Sequence, residues 1–335
     1  MISLKSNKIK ALAAGLMLAL ALGALGCGGD KKEAGAKAEK VNVGIVQLVE
    51  HEALDAANKG FVDGLASKGY KEGQNITFDK QNAQADQSNL QNIAHRFVNN
   101  KVDLICAIAT PAAQTVANVT SDIPIVATAV TDYKTAKLVK DDAKPGTNVT
   151  GTTDMNPVAE QLDLLLKLVP NAKTIGTIYC SSEVNSQLQV ELLKKAADAK
   201  GITVKEATVS TVNDIQQAAR SLAGDVQAVY VPTDNVLASA IPTLISVTEE
   251  AKLPVICAEG GMVRAGGLAT LGVDYYKLGF QTGVMAADIL SGKAKPADMA
   301  IQAQKEFKPT INLKEAAKIG LKVPEDLLKG AEVIK

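Results

Sequence analysis

Only two histidines and four cysteines occur in the 335 residues, so groups for nucleophilic or metal chemistry are few. No G-x-S-x-G elbow, P-loop or G-x-G-x-x-G is present. His51 stands beside Glu50, and such a pair could do acid/base work. No nucleophile or metal set accompanies it, so a polar loop residue beside a ligand or solvent is the simpler reading. His95 falls in a helical stretch and is expected on its surface. Cys106, Cys180 and Cys257 each lie within or at the end of an apolar run, at spacings unlike a zinc site. They are expected to be reduced core residues, and no metal or cofactor is expected.

Hydrogen-bonding groups and carboxylates remain, and they cluster where apolar runs end. The first half offers Gln47, Glu50, Ala109, Thr110, Thr128 and Asp132. The second offers Ser181, Ser182, Asn185, Thr233, Asp234 and Glu259, and two connections add Asp154 and Asp274. Hydroxyls and helix starts in one half with acids in the other suit a zwitterion. A carboxylate would take Thr110 and nearby N–H groups, and an ammonium would take Asp234 or Glu259. Asp234 serves equally well as a helix N-cap, since it follows Pro232-Thr233.

The elements that must position these residues follow from periodicity. Leu104 to Ala109 is a short apolar run that reads as a strand buried on both faces. Thr110 then looks like an N-cap, with Pro111 in the first helical position. A buried strand running into a helix start leaves free N–H groups for an anion. Val226 to Asn235 repeats the pattern. Around these, strands at Val41–Val46, Asn75–Lys80 and Ile123–Val130 precede a second set at Thr174–Tyr179, Thr203–Thr208, Leu253–Ala258 and Gly267–Val273. Helical stretches separate them, so each half reads strand, helix, strand, helix, strand, helix, strand. That order makes parallel sheets with right-handed crossovers.

The expected fold class is therefore α/β: two similar lobes, each a doubly wound parallel sheet, facing each other across a ligand cleft. Residues 41–150 with 276–300 would form one lobe, and 151–275 with 301–335 the other. The short connections at residues 148–156 and 272–276 look like crossovers between them.

Lys plus Arg and Asp plus Glu both number 36, which gives no reason to expect a nucleic-acid partner. Residues 1–26 have the form of a secretory signal: Lys5, Lys8 and Lys10, then an apolar run from Ala11 to Leu25. Ala24-Leu25-Gly26-Cys27 resembles the lipobox of bacterial lipoproteins, with Ala24 where that pattern usually has Leu. Cys27 is the expected lipidation site, and residues 27–40 a flexible tether to a membrane.

Five motifs then carry a family resemblance. Val41-Asn-Val-Gly-Ile-Val-Gln-Leu-Val-Glu-His51, Ala107-Ile-Ala-Thr-Pro-Ala-Ala113, Asn148-Val-Thr-Gly-Thr-Thr-Asp-Met155, Val231-Pro-Thr-Asp-Asn235 and Gly272-Val-Asp-Tyr-Tyr-Lys-Leu-Gly279 are similar to substrate-binding lipoproteins of a bacterial ABC transporter family. That family is associated with tryptophan, tyrosine and phenylalanine uptake. The resemblance implies a periplasmic-binding-protein fold that closes on its ligand, a permease and an ATPase as partners, and an extracytoplasmic monomer. By looser likeness to branched-chain amino-acid binding proteins, it places Thr110 and Thr128 at the ligand carboxylate and Glu259 at the ammonium. Leu48, Tyr133, Met155, Met262 and Tyr275 are candidate walls for an aromatic side chain. The alternatives are a sensor presenting its ligand state to a signalling receptor, and a hydrolase or lyase using His51 and Glu50.

Overall fold

A computed structural model describes residues 40–335. Strands β1 (Val41–Gln47), β2 (Ile76–Asn82), β3 (Leu104–Ile108), β4 (Ile125–Val130), β5 (Val149–Thr153) and β11 (Gln302–Ala303) form one sheet in the order β2-β1-β3-β4-β5-β11. Every pair in it is parallel. β3 and β4 are buried along their whole length, which is why the sequence shows continuous apolar runs there and not alternation. Helices α1 (Glu52–Ser67), α2 (Gln87–Asn99), α3 (Thr110–Val119) and α10 (Tyr275–Leu290) belong to this first lobe.

The second sheet holds β6 (Thr174–Cys180), β7 (Thr203–Val209), β8 (Val229–Val231), β9 (Val255–Cys257), β10 (Ala269–Gly272), β12 (Lys308–Asn312) and β13 (Glu332–Ile334). Its order is β7-β6-β8-β9-β10-β12-β13, parallel except that β12 runs against β10. Helices α4 (Val158–Leu168), α5 (Val184–Asp198), α6 (Ile215–Ala223), α7 (Asn235–Ser239), α8 (Ile241–Glu250), α9 (Gly260–Arg264) and α11 (Leu313–Ile319) surround it. Both sheets share the order second-first-third-fourth-fifth. Each thus has a switch point, at β1/β3 and at β6/β8, where strand ends open a crevice.

The chain passes between the lobes three times: after β5, after β10, and between β11 and β12. β5 was expected to be part of a connection, and residue 150 to be the end of a lobe. Val149-Thr-Gly-Thr-Thr153 is instead a buried strand, because its hydroxyls bond inside the protein. Thr152 Oγ1 lies 3.2 Å from Thr128 Oγ1 and 2.8 Å from Thr282 Oγ1, and Thr150 Oγ1 donates to the Met299 carbonyl at 2.6 Å. Residue 301 likewise does not begin the second lobe, since β11 returns to pair with β5.

Helices α1 and α10 meet backbone to backbone. A Cβ on Gly279 would stand 1.9 Å from the Ala57 carbonyl oxygen, and one on Gly60 2.1 Å from that of Tyr276. Gly64 and Gly283 are equally crowded, each 2.2 Å from a carbonyl of the facing helix. Glycine every fourth residue on both helices is what permits this approach.

Cys106, Cys180 and Cys257 are buried free thiols. Among the described residues no helix is long and apolar enough to cross a membrane. Cys27, the signal segment and the tether up to residue 39 lie outside the described residues.

Candidate functional site

Two strand ends of the first lobe have strained backbones; Ala129 lines the interlobe crevice, whereas Ala109 and Thr110, both expected at the site, do not. Thr110 was expected to cap α3, but it is the first helical residue, Pro111 is the second, and Ala109 is the cap. The reason is visible in Ala109, whose φ of 89° and ψ of 154° lie in a region open almost only to glycine. The Thr110 hydroxyl makes no capping bond and is buried without a partner. Ala129 is a second strained residue, at φ 56°, where the register between β4 and β5 shifts.

On the second lobe, acids hold helix starts. Asp234 caps α7: its carboxylate accepts from the Leu237 N–H at 2.9 Å, the Cys180 N–H at 2.6 Å and the Ser186 hydroxyl at 2.8 Å. Glu183 accepts from the backbone of Asn235 at 3.1 Å and Val236 at 3.2 Å, and from the Asn235 side chain at 2.6 Å. Glu259 caps α9 through the Gly261 and Met262 N–H groups at 2.5 and 2.7 Å. Burial raises all three carboxyls, Glu183 to about 8 with the Asp234 charge adding to it, and Glu259 to about 7.

Between the lobes lies a narrow crevice with room for no more than about one water molecule. His51, Leu54, Ala129, Thr131, Asp154 and Tyr275 line it from one side, and Asn185, Thr233 to Asn235, Ala238, Glu259 and Met262 from the other. Three contacts bridge the lobes around it. His51 Nε2 is 3.3 Å from Asn235 Oδ1, Gln189 Nε2 donates to Thr131 Oγ1 at 3.3 Å, and Arg264 pairs with Glu52. Two crossovers are fastened where Tyr275 and Thr131 donate to the buried Asp154 carboxylate at 2.7 and 3.0 Å. Burial raises Asp154 as well.

Of the residues expected here, Asp154, Asn185, Thr233, Asp234, Glu259, Met262 and Tyr275 line this cavity. Others turn away. Gln47 bonds Asp55 and Asn58 on α1, and Asp132 caps its own turn at the Thr135 N–H. Asp274 caps α10 at the Lys277 N–H and lines a separate pocket with Glu52, Glu259 and Arg264, and Ser181 and Ser182 are exposed. Thr128 is buried against Thr152. Tyr133, expected as a wall, is a core residue whose hydroxyl donates to the Ala127 and Thr152 carbonyls. Leu48 and Met155 do not line the cavity either. Glu50 is exposed while His51 turns to Asn235, so the pair imagined for acid/base work is not formed. Thr131, Asn235, Glu183 and Gln189 were missed. Only position signals them, since each follows a strand end or sits in the first turns of a helix there.

A family model described as ABC transporter substrate binding protein matches residues 42–335. The chain belongs to that family. A tyrosine-binding protein of Clostridioides difficile is 48% identical over 265 residues, which cover 79% of this chain and 76% of that one. The ABC domain from Streptococcus pneumonia solved in complex with L-Trp is 41% identical, with a TM-score of 0.85 over 89% of this chain and all of that one. A ligand-free, open substrate-binding protein with adhesive properties from Clostridium difficile is 45% identical, covering 88% of this chain and 99% of that one, yet its TM-score is 0.68. Higher identity with poorer superposition is what a different angle between similar lobes produces. The superposition is thus better on the L-Trp complex than on the open form, and His51, Thr131 and Glu52 make contacts that bridge the two lobes here.

Proposed function

We propose that this chain is the lipid-anchored, monomeric solute-binding component of an ABC importer, and that its ligand is an aromatic L-amino acid, tyrosine or tryptophan. The observation that carries the reading is the interlobe crevice, whose walls would have to part to admit a ligand. Both lobes contribute to it, and apolar Leu54, Met262 and Tyr275 stand beside carboxyls, amides and an imidazole. Such mixed lining suits a ligand with one charged end and one apolar end. Thr110, at the start of α3, is outside this lining, but its hydroxyl is buried without a partner and is the first-lobe candidate for a carboxylate contact once the lobes part. The names of the relatives, a tyrosine-binding protein and an L-Trp complex, support the aromatic side chain. Ligand acts by bridging the lobes and shifting the population toward the closed form that a permease would receive.

Native mass spectrometry of the purified protein, followed by calorimetry with L-Tyr, L-Trp, L-Phe, L-Leu and glucose, tests this. Retained or added Tyr or Trp at micromolar affinity is expected. Binding of leucine or glucose in preference to every aromatic amino acid would sink the reading. Anchoring depends on Cys27 in this proposal. Cys27→Ser should leave the protein unprocessed or released, and a variant processed and membrane-bound like the parent would refute the lipid anchor.

A further inference from the structure

Asn185 is held by its amide nitrogen, which donates to the Thr233 carbonyl at 2.8 Å and to the Glu183 carboxyl at 2.9 Å. A carbonyl only accepts, so the amide cannot be reversed, and Oδ1 is left buried with no protein partner. The residue is 4% exposed and lines the interlobe cavity. His51 lines the same cavity from the other lobe. Its Nε2 faces Oδ1 of Asn235, whose own amide nitrogen is turned to Glu183 at 2.6 Å. Nε2 must therefore carry the hydrogen. Burial lowers the imidazole pKa, so the ring is neutral and Nδ1 is a bare lone pair, also buried without a partner.

Each lobe thus presents one fixed, neutral, unpaired acceptor to one cavity. Asp154, Asp234 and Glu259 line it too, and no Lys or Arg does. Donors are needed there, and a cation entering would draw these buried carboxyls back toward their charged forms. Asp234 and Glu259 already hold the starts of α7 and α9, which leaves them to act through their field.

We propose that His51 Nδ1 and Asn185 Oδ1 jointly accept the α-ammonium of the ligand, one from each lobe, so that the ammonium itself ties the lobes shut. This rests on the amino-acid reading above. It gives His51, which has no hydrolytic partner, a role in recognition. It also moves the ammonium from the capping acids to the two neutral acceptors.

The test compares L-Trp and L-Tyr with their des-amino analogues, 3-(indol-3-yl)propionate and 3-(4-hydroxyphenyl)propionate, by calorimetry on wild type, Asn185→Leu and His51→Phe. Each substitution should weaken the amino acids about ten- to a hundredfold and leave the des-amino acids within about twofold. Equal loss for both ligand types, or no loss for the amino acids, overturns the assignment. A second readout needs no variant. With only two histidines in the chain, imidazole ¹⁵N resonances of wild type can be assigned directly. The His51 Nδ1 resonance should move upfield with L-Trp and not with the des-amino analogue; an unmoved resonance in saturated protein overturns the proposal. Wild type that binds neither aromatic amino acid removes the functional reading and this inference together, and that outcome is seen before any variant is made.

Discussion

Ala109 and Thr110 share one strand end, and their physics differ enough to be measured separately. Ala109 sits where a side chain is strained by about 1–3 kcal/mol, and a glycine would remove that at an entropic cost of about 0.5–1 kcal/mol. Ala109→Gly is expected to stabilise the protein by about 1 kcal/mol in urea titration; destabilisation would show that the backbone there is relaxed. Thr110 is not a cap, so Thr110→Ala should leave the melting temperature unchanged or slightly raised. If the hydroxyl meets the ligand carboxylate, affinity should fall about tenfold in calorimetry, and intact affinity would move the anion contact elsewhere. Glu259 predicts a pH dependence. Burial raises its carboxyl from the ordinary 4.5 to about 7, so between those values the folded chain holds more protons than the unfolded one. The stability it gives is full below pH 4.5 and is lost as pH rises through 7. At about 1.4 kcal/mol per pH unit, this amounts to about 3 kcal/mol. Glu259→Gln should gain on wild type by that order between pH 4.5 and pH 8 in denaturant titrations, and parallel curves would refute it. Residue types at strand ends could be read from the chain. Their directions could not, because one step of pleat or helix phase decides whether Gln47 meets α1 or the cleft.

At the scale of elements, the apolar runs of β1, β3, β4 and β6 identified themselves, since strands covered on both faces have no need of polar residues. β5 did not, because its threonines look solvated until their partners on β4 and α10 are known. The short β11 and β13 add only a few residues each to sheet edges and carry no periodicity long enough to read. The glycines of α1 and α10 were likewise opaque, because their use depends on a helix more than two hundred residues away in the chain. Gly279→Ala would press a methyl on the Ala57 carbonyl and should cost about 1–3 kcal/mol, by moving the helices apart. Gly224→Ala, with open space around the new carbon and no unusual backbone angle, should stay within about 0.5 kcal/mol. Thermal melts of the two variants decide it, and similar losses in both would mean that the α1–α10 contact is not tight.

For the whole molecule, the two-lobed plan followed from the repeated order of elements, and the loops at the two switch points did converge on one cavity. The lobe angle was not legible, since it rests on contacts such as Arg264 with Glu52 that no local pattern announces. That rim pair is largely solvated, with side chains 38% and 52% exposed, so it should bias closure by no more than about 1 kcal/mol. Arg264→Gln is expected to weaken ligand binding less than about fivefold, and the difference should fade as salt is raised; a larger, salt-independent loss would place Arg264 in direct ligand contact. The three passages between lobes have a further consequence, for the order in which the protein can be built. α1 and β1 emerge early, but the helix that must seal them, α10, ends at Leu290. Everything from α4 to β10 is spelled out in between and belongs to the other half. The first lobe is therefore a host with most of the other lobe inserted into it, β12, α11 and β13 following later, and until the late helix arrives its Ala57–Gly64 face is open to any passing chain. The inserted half has most of its own partners already in hand by then. Newly made protein should accordingly mature from the middle of its described residues outward, with β1 and α1 among the last elements to be locked in place.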